Sequence, residues 1–361
     1  MMNTKDTVNQ LQAALDAAVQ SSPINIPGAV LHILSPELGA WSGAVGLGEI
    51  EPATVMEPDD RFRAGSVMKP FVAVVTLQLV EEGRFSLNDS MTAVLPDSIT
   101  AKVAASDRIT VRMLLNHTSG IPEWLTDAFG AEIATNPTKV RTVDEYLQLA
   151  GAQEPYFPPG KGFAYSNTDY NLLGLVIEQA TNRSWREEVH ERVIEPLQLD
   201  DTLLPEPGDL SISGNYAHGY MDMGGNLFDF TRIDPSMAGA AGGHALVSTT
   251  MNLARFLDAA LAGELFQKTE TLGKMLTFVD MPQDVNSSNL AIGYGLGIMR
   301  FGLSGGIEML GHAGTTGGYQ CFVYNLPAHG ITISGMMSIM ESDQMQLINP
   351  ALKLIVPGFS P

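Results

Sequence analysis

A serine and a lysine stand three residues apart in the segment Ser-Val-Met-Lys at residues 66–69. The apolar spacing from Val67 to Glu82 predicts a helix, and side chains three residues apart on a helix lie on one face. The Ser66 hydroxyl could therefore meet the Lys69 amine, and burial would lower the pKa of Lys69 until its neutral amine could act as a base. The N–H groups of the first helical turn lack partners within the helix and would favour negative charge beside Ser66. A serine helix cap with a solvated lysine is the simpler alternative.

The second candidate is the segment Tyr-Ser-Asn at residues 165–167, which follows the turn-rich stretch FPPGKGF and precedes an apolar helix predicted to start near Tyr170. On a loop, Tyr165 and Asn167 can both point into one cleft. A phenol whose pKa is lowered by a nearby ammonium can pass a proton to a leaving group. The Asn167 amide both donates and accepts hydrogen bonds, which suits the orientation of a substrate amide or of Lys69. The alternative is a loop tyrosine that caps the following helix.

The third candidate is GHAGTTGGY at residues 311–319, which enters the apolar strand pattern YQCFVYNLP. Its glycines would let another backbone or a ligand approach a strand edge, whose N–H groups could complete an oxyanion hole. The segment is not a phosphate-binding loop, because no Gly-Lys-Ser/Thr follows it. Taken alone, His312 also fits a structural histidine.

The elements that must hold these segments come from both ends of the chain. A helix with one apolar stripe is predicted from Thr4, and short apolar runs at residues 28–34 and 41–47 predict a β-hairpin. The last third returns to strand patterns, whereas the middle is dominated by helical periods. We therefore predict an α+β fold, in which an antiparallel sheet flanked by N- and C-terminal helices is interrupted by a large, mostly helical insertion. The sheet part is assigned to residues 1–84 and 245–361, the helical part to residues 85–244, and the site to their junction.

The composition excludes several classes of binding partner and site. Of 361 residues, 40 are acidic and 20 are Lys or Arg, so the net charge of −20 disfavours nucleic acid and anionic lipid. Cys321 is the single cysteine, which excludes an intrachain disulfide and a cysteine-based zinc site. No apolar run approaches the roughly 20 residues of a membrane span, so a soluble protein is expected. The start of the chain has no signal-peptide pattern, which predicts the cytoplasm, with secretion as the alternative if a leader was removed. The oligomeric state is not predicted.

Together and in this order, the three segments resemble the penicillin-recognising serine hydrolases. Within them, the resemblance is to the branch of class C β-lactamases, D-Ala-D-Ala carboxypeptidases, D-aminopeptidases and β-lactamase-like carboxylesterases. It extends from about Pro27 to Met340 and includes FRAGSVMK, ITVRMLLNHTSGIP, PPGKGFAYSNTDYNLLGLVIEQATN and GHAGTTGGY. The likeness is strongest to the secreted actinomycete D-Ala-D-Ala carboxypeptidases, which carry His-Thr-Gly where this chain has His-Ala-Gly at residues 312–314.

The resemblance implies a β-lactamase/transpeptidase-like fold and a role for each motif residue. Ser66 matches the acylated nucleophile, Lys69 the activating lysine and Tyr165 the general acid/base. Asn167 matches the substrate-orienting asparagine, and His312 stands at the basic position of the third motif. The backbone N–H groups of Ser66 and Thr315 match the oxyanion-hole donors. The implied reaction is a two-step acyl transfer that needs no metal or organic cofactor.

The substrate predicted from the resemblance is a small molecule or short peptide with D-amino-acid character, either a peptide or an amide, as for a D-Ala-D-Ala carboxypeptidase. Relatives that bind a terminal carboxylate use a hydroxyl in the third motif and often an arginine on the strand before it. Ala313 lacks this hydroxyl, although Thr315 and Thr316 keep hydroxyls nearby, and Arg300 lies on the preceding strand. Lys69, His312 and Arg300 would then draw in an anionic substrate against the negative field of the molecule. The alternatives are a carboxylesterase or β-lactamase of the same family, or a catalytically silent protein that binds acyl-D-Ala ends.

Two other residues are predicted to be structural. His117, in the sequence Asn-His-Thr-Ser-Gly, is interpreted as a turn-stabilising residue rather than a catalyst. Cys321 is interpreted as a buried, unreactive thiol on the strand behind the third motif.

Overall fold

A computed structural model describes residues 4–282 and 291–360 of the chain. In chain order, its strands are β1 (Gly28–Ser35), β2 (Gly39–Glu49), β3 (Thr54–Val55), β4 (Phe62–Arg63), β5 (Tyr220–Asp222), β6 (Leu227–Asp229), β7 (Val247–Ser248), β8 (Val279–Asp280), β9 (Ala291–Tyr294), β10 (Met299–Gly302), β11 (Glu308–Thr316), β12 (Tyr319–Leu326) and β13 (Ile331–Met337). The helices are α1 (Thr4–Gln20), α2 (Met68–Glu81), α3 (Met91–Val94), α4 (Asp97–Thr100), α5 (Val111–Leu115), α6 (Asp127–Thr135), α7 (Val143–Gly151), α8 (Asn167–Thr181), α9 (Trp185–Val189), α10 (Thr250–Ala262), α11 (Thr269–Met275) and α12 (Met345–Ile355).

The central sheet joins the two ends of the chain. Over the described residues its strand order is β3-β2-β1-β13-β12-β11-β10-β9-β8, and the paired strands run antiparallel. The N-terminal strand β1 lies directly beside the last strand β13, with Ala29 opposite Met337. The predicted antiparallel sheet with a large, mostly helical insertion is confirmed.

Helices cover both faces of this sheet. The apolar stripe of α1, which includes Leu11 and Leu15, packs with α12 and with one face of the sheet in a shared hydrophobic cluster. On the other face, α10 packs against β1, β12 and β13, and α2 packs against α8. Because α2 is enclosed on all sides, its sequence is apolar almost all round rather than on one stripe. No helix of the described residues is long and apolar enough to cross a bilayer.

Helix α2 ends as its sequence predicts. Gly83 follows the helix with φ +73°, a left-handed conformation that costs glycine little. Its N–H donates to the Val80 carbonyl at 3.1 Å, and the Arg84 N–H donates to the Leu79 carbonyl at 3.0 Å. The last carbonyls of the helix are thereby satisfied, and the start of α2 is left to present Ser66 and Lys69.

One local assignment differs from the sequence prediction. Helix α8 begins at Asn167 rather than near Tyr170, because the Glu123 carboxylate accepts the Asn167 N–H and satisfies the helix start from outside. The third motif lies on strand β11 at residues 311–316, turns at Gly317 and Gly318, and enters β12 at Tyr319. The β10 ladder ends at Gly311, so residues 312–316 of β11 present a free edge on that side.

Candidate active site

Ser66 lies in a single 3₁₀ turn, Gly65–Val67, directly before α2. Gly65 has φ +54°, and a Cβ there would come within 3.1 Å of the Thr315 main-chain nitrogen. Only glycine therefore fits both the backbone conformation and the close approach of strand β11. The approach sets the main chain of Thr315 against the turn that carries Ser66. The third motif is thus adjacent to the first.

Lys69 is fully buried, and its Nζ has three oxygen neighbours. It lies 3.1 Å from Ser66 Oγ, 2.7 Å from Asn167 Oδ1 and 2.5 Å from the Ala241 carbonyl oxygen. Asn167 Oδ1 and the Ala241 carbonyl can only accept, so a neutral amine would donate its two N–H groups to them and turn its lone pair to the Ser66 hydroxyl. Burial lowers the pKa of Lys69 to about 7, although the negative charge of Glu123 opposes this shift. The amine can therefore accept the Ser66 proton near neutral pH.

Tyr165 is partly buried, and its phenol shares a hydrogen bond with Ser66. Lys69 Nζ lies 4.8 Å from the centre of its ring. The expectation that a nearby ammonium lowers the pKa of Tyr165 is wrong. Burial raises this pKa well above its ordinary value and outweighs the Ser66 hydrogen bond. Tyr165 is consequently a neutral phenol that can donate its proton.

Glu123 orients Asn167, and the sequence analysis missed it. Its Oε2 accepts the Asn167 main-chain N–H at 2.8 Å and the Asn167 Nδ2 at 3.0 Å. The Asn167 amide therefore turns its oxygen to Lys69. Burial raises the pKa of Glu123, and hydrogen bonds and Lys69 partly oppose the rise. No motif spacing marks a glutamate 44 residues before Asn167, so only the tertiary contact could find it.

His312 lies behind Tyr165 rather than on the cleft wall. Its Nδ1 is 2.6 Å from the Ala313 carbonyl oxygen and its Nε2 is 3.0 Å from the Tyr294 hydroxyl. A carbonyl only accepts, so Nδ1 carries the proton and Nε2 accepts from Tyr294. Burial lowers the pKa of His312 to about 3. The prediction that His312 attracts an anionic substrate is corrected, because the imidazole is neutral and only 1% exposed.

Arg300 is not brought to the cleft. It pairs with Leu310 on β11, two residues before His312 along that strand. Its guanidinium carbon lies 4.9 Å from the centre of the Phe278 ring, a cation–π contact. The substrate-binding position predicted for Arg300 is therefore corrected.

Ser66 opens into a mostly apolar cleft of about 610 Å³. Apolar side chains form its walls: Leu125, Ile133, Met221, Phe230, Ile233, Met237 and Met340. Asn167 and Thr315 also line it, and Thr315 Oγ1 donates to Gln320 Oε1 at 2.5 Å. Of the described residues that line the cleft, Asp127 alone is charged, and none is Lys, Arg or His. Nor do the described parts of the chain contain three or more His, Cys, Asp or Glu side chains grouped to hold a metal ion.

The family profile described as Beta-lactamase matches residues 14–356. The chain belongs to the beta-lactamase family. Its fold is that of the beta-lactamase-family serine hydrolases, and the predicted serine hydrolase is confirmed at this level.

Two solved structures are similar to this beta-lactamase-family chain over nearly its whole length. A D-stereospecific amidohydrolase from Streptomyces sp. is 32% identical with a TM-score of 0.84, covering 98% of this chain and 99% of that one. The D-amino acid amidase of Ochrobactrum anthropi SV3, in complex with D-phenylalanine, also has a TM-score of 0.84 but is 24% identical. That match covers 97% of this chain and 99% of the amidase, and at this identity it supports the fold alone.

Curated relatives match over a shorter region. Esterase EstB of Burkholderia gladioli is 31% identical over 199 residues, which is 53% of this chain and 50% of the esterase. The aligned part amounts to 38% to 50% of the length of the curated relatives it matches here.

Proposed function

We propose that this chain hydrolyses amides of D-amino acids that carry a free amino group, through an acyl-Ser66 intermediate. The observation that carries this proposal is the charge of the cleft. Asp127 is the one charged side chain among the described lining residues, and the whole molecule carries −20. Such a cleft attracts the ammonium of a substrate and repels a terminal carboxylate.

The acylation step follows from the positions of three side chains. Neutral Lys69 takes the Ser66 proton while Oγ forms a bond to the amide carbonyl carbon. The oxyanion lies toward the N–H groups of Ser66 and Thr315. The C–N bond then breaks, and the leaving nitrogen takes the Tyr165 proton, which the Lys69 ammonium replaces. Water then adds to the carbonyl carbon of the acyl ester while one of its protons passes to neutral Lys69. The bond from this carbon to Ser66 Oγ breaks, and Oγ takes the proton from Lys69 as the D-amino acid leaves.

The preference for D-amino-acid substrates is supported by the Streptomyces amidohydrolase, which matches nearly the whole chain and is D-stereospecific by its description. The apolar walls of the cleft suit a bulky apolar side chain, since burial of such a side chain from water contributes about 1.5–3 kcal/mol. Ala313 argues against a carboxypeptidase or β-lactamase, whose substrates carry a carboxylate. Among the described residues, the walls of the cleft also carry no Lys, Arg or His side chain, and the buried Lys69 beside Ser66 is the proposed base.

A carboxylesterase is the second candidate. The apolar cleft and the match to Esterase EstB favour it. The two activities share the acylation chemistry and differ in the leaving group, because an alcohol leaves more readily than an amine. A silent acyl-D-Ala binding protein is disfavoured, since the Lys69 amine, the Tyr165 phenol and Ser66 lie within reach of one another.

A substrate panel tests the proposal. It contains D-phenylalanine amide, L-phenylalanine amide, N-acetyl-D-phenylalanine amide, p-nitrophenyl butyrate, nitrocefin and an N-acyl-D-Ala-D-Ala peptide. We expect the highest kcat/KM among the amides for the free D-amide, with loss of all turnover in Ser66→Ala. Faster turnover of nitrocefin or of the acylated dipeptide would overturn the proposal. Turnover of the butyrate ester without turnover of any amide would favour the esterase.

A further inference from the structure

His117 has contacts that a turn residue does not need. It has φ +58°, a left-handed conformation that fits the predicted turn role. It is also fully buried, and the proposed chemistry does not use it. Its surroundings therefore call for another explanation.

His117 holds the main chain on both sides of Tyr165. Its carbonyl accepts the Ala164 N–H at 3.0 Å, and its Nδ1 accepts the Ser166 N–H at 3.3 Å. Its ring centre lies 4.4 Å from that of Tyr165, which is closer than the ring of Tyr294 at 6.1 Å. One residue thus contacts the residue before Tyr165, the residue after it and the phenol ring itself.

Asp169 holds the imidazole from the other side. Its Oδ2 lies 2.9 Å from His117 Nδ1, and its Oδ1 accepts the Ser119 hydroxyl at 2.6 Å. The Ser166 N–H can only donate, so Nδ1 must accept and the shared proton belongs to Asp169. Burial supports this assignment, because it raises the pKa of Asp169 and lowers that of His117. The pair is neutral and hydrogen-bonded, which suits a rigid support in a buried place.

The segment that carries Tyr165 needs such a support. Residues 152–166, between α7 and α8, form no helix or strand. Proton transfer requires the phenol to stay within hydrogen-bond reach of Ser66 and the leaving group. A displacement of about 1 Å in a catalytic group can lower the rate about 100-fold.

We propose that His117 is a positioning residue that holds Tyr165 in line for proton transfer to the leaving group. This inference rests on the proposed function, in which Tyr165 is the proton donor. His117 acts through Tyr165 and does not touch the substrate.

The test compares an amide with an activated ester of the same acyl group. D-Phenylalanine amide needs a proton on its leaving nitrogen, whereas p-nitrophenolate leaves the D-phenylalanine p-nitrophenyl ester without one. The variants are His117→Gly, which keeps the left-handed backbone and loses the ring, and His117→Asn, which tolerates that backbone and keeps a polar atom near the Ser166 N–H. Tyr165→Phe and the His117→Gly/Tyr165→Phe double variant complete the set. Active sites are counted from the p-nitrophenol burst, so that misfolded protein does not enter the rates.

We expect His117→Gly to lower kcat/KM for the amide about 100-fold and for the ester only a few-fold. His117→Asn should recover part of the amide activity. In the double variant, the loss of His117 should add nothing to the loss caused by Tyr165→Phe.

Equal losses on amide and ester, or losses that multiply in the double variant, would overturn the role of His117. Full amide activity in Tyr165→Phe would instead overturn the proton-donor role in the proposed function. If His117→Gly gives no folded protein, the ratio of amide to ester rates in His117→Asn decides the question.

Discussion

One oxygen of the Glu123 carboxylate accepts two hydrogen bonds from Asn167, from the main-chain N–H at 2.8 Å and from Nδ2 at 3.0 Å. The amide of Asn167 cannot rotate without breaking one of them, so its oxygen stays 2.7 Å from Lys69 Nζ. The negative charge of Glu123 also favours the protonated form of Lys69. Glu123 therefore acts on the proposed base both through geometry and through charge.

The protonation of Lys69 should control the acidic limb of the pH profile. Lys69 has a pKa of about 7 in the folded chain, and only its neutral form can accept the Ser66 proton. We expect kcat/KM for an uncharged ester such as p-nitrophenyl butyrate to fall about tenfold per pH unit below pH 7. A profile that stays flat down to pH 5 would contradict the role of Lys69 as base.

Glu123→Gln should move this limb to lower pH. Loss of the negative charge removes an interaction that raises the pKa of Lys69, so the neutral amine persists at lower pH. The plateau rate should also fall, by about tenfold, because the second carboxylate oxygen of Glu123 accepts the Leu125 N–H at 2.9 Å, and the glutamine NH2 group in its place cannot accept. The pH profiles of the two proteins on p-nitrophenyl butyrate check this. An acidic limb that moves to higher pH in Glu123→Gln would contradict the proposed effect of the Glu123 charge on the pKa of Lys69.

Gly65→Ala should impair catalysis far more than a matched glycine substitution. An added Cβ meets the Thr315 main chain within 3.1 Å in a left-handed backbone with φ +54°, so the edge of β11 must move. Gly83→Ala is the control, since its φ of +73° imposes similar backbone strain, but among the described residues no atom other than those of its chain neighbours lies within 4 Å of the added Cβ. Each should cost about 1–2 kcal/mol of unfolding free energy.

Only Gly65→Ala should lower kcat, by about 100-fold, as expected for a displaced oxyanion donor. Thermal melts and burst-corrected rates of the two variants separate stability from activity. A comparable loss of kcat in Gly83→Ala would contradict the inference that Gly65→Ala acts by displacing Thr315.

Asp127→Asn should weaken the binding of substrates that carry a free amino group. The proposed attraction of the ammonium is lost, so KM for D-phenylalanine amide should rise by up to about fivefold, as for an exposed charge. The KM for N-acetyl-D-phenylalanine amide should stay the same. Asp107→Asn is the matched control, because Asp107 is exposed and does not line the cleft. An equal effect of the two variants would indicate only the general field of the protein.

Arg300→Met should leave substrate binding unchanged. The guanidinium packs on Phe278 outside the cleft, and methionine keeps an apolar contact with that ring. We expect KM for each accepted substrate within about twofold of the parent, with a stability change below about 1 kcal/mol. A large rise in KM confined to carboxylate-bearing substrates would restore the original prediction for Arg300.

Local patterns in the sequence determined much of this chain. The three-residue spacing of Ser66 and Lys69 predicts their contact because it depends only on helix geometry. The left-handed Gly83 after α2 and the apolar stripe of α1 follow from equally local rules. The strand patterns at the two ends of the chain predicted the shared antiparallel sheet, and the three ordered motifs predicted the family.

Only the tertiary structure decided what surrounds these motifs. Glu123 meets Asn167 from 44 residues away, and no periodicity links the two. The pKa of Tyr165 is raised where a lowered one was expected, because burial depends on the packing of the whole junction. The neutral state of His312 and the contact of Arg300 with Phe278 likewise depend on how distant segments pack. The pKa, the burial and the long-range contacts of a side chain depend on neighbours that only the folded chain brings together. Helix spacing and turn conformation depend on residues that are already adjacent in the sequence.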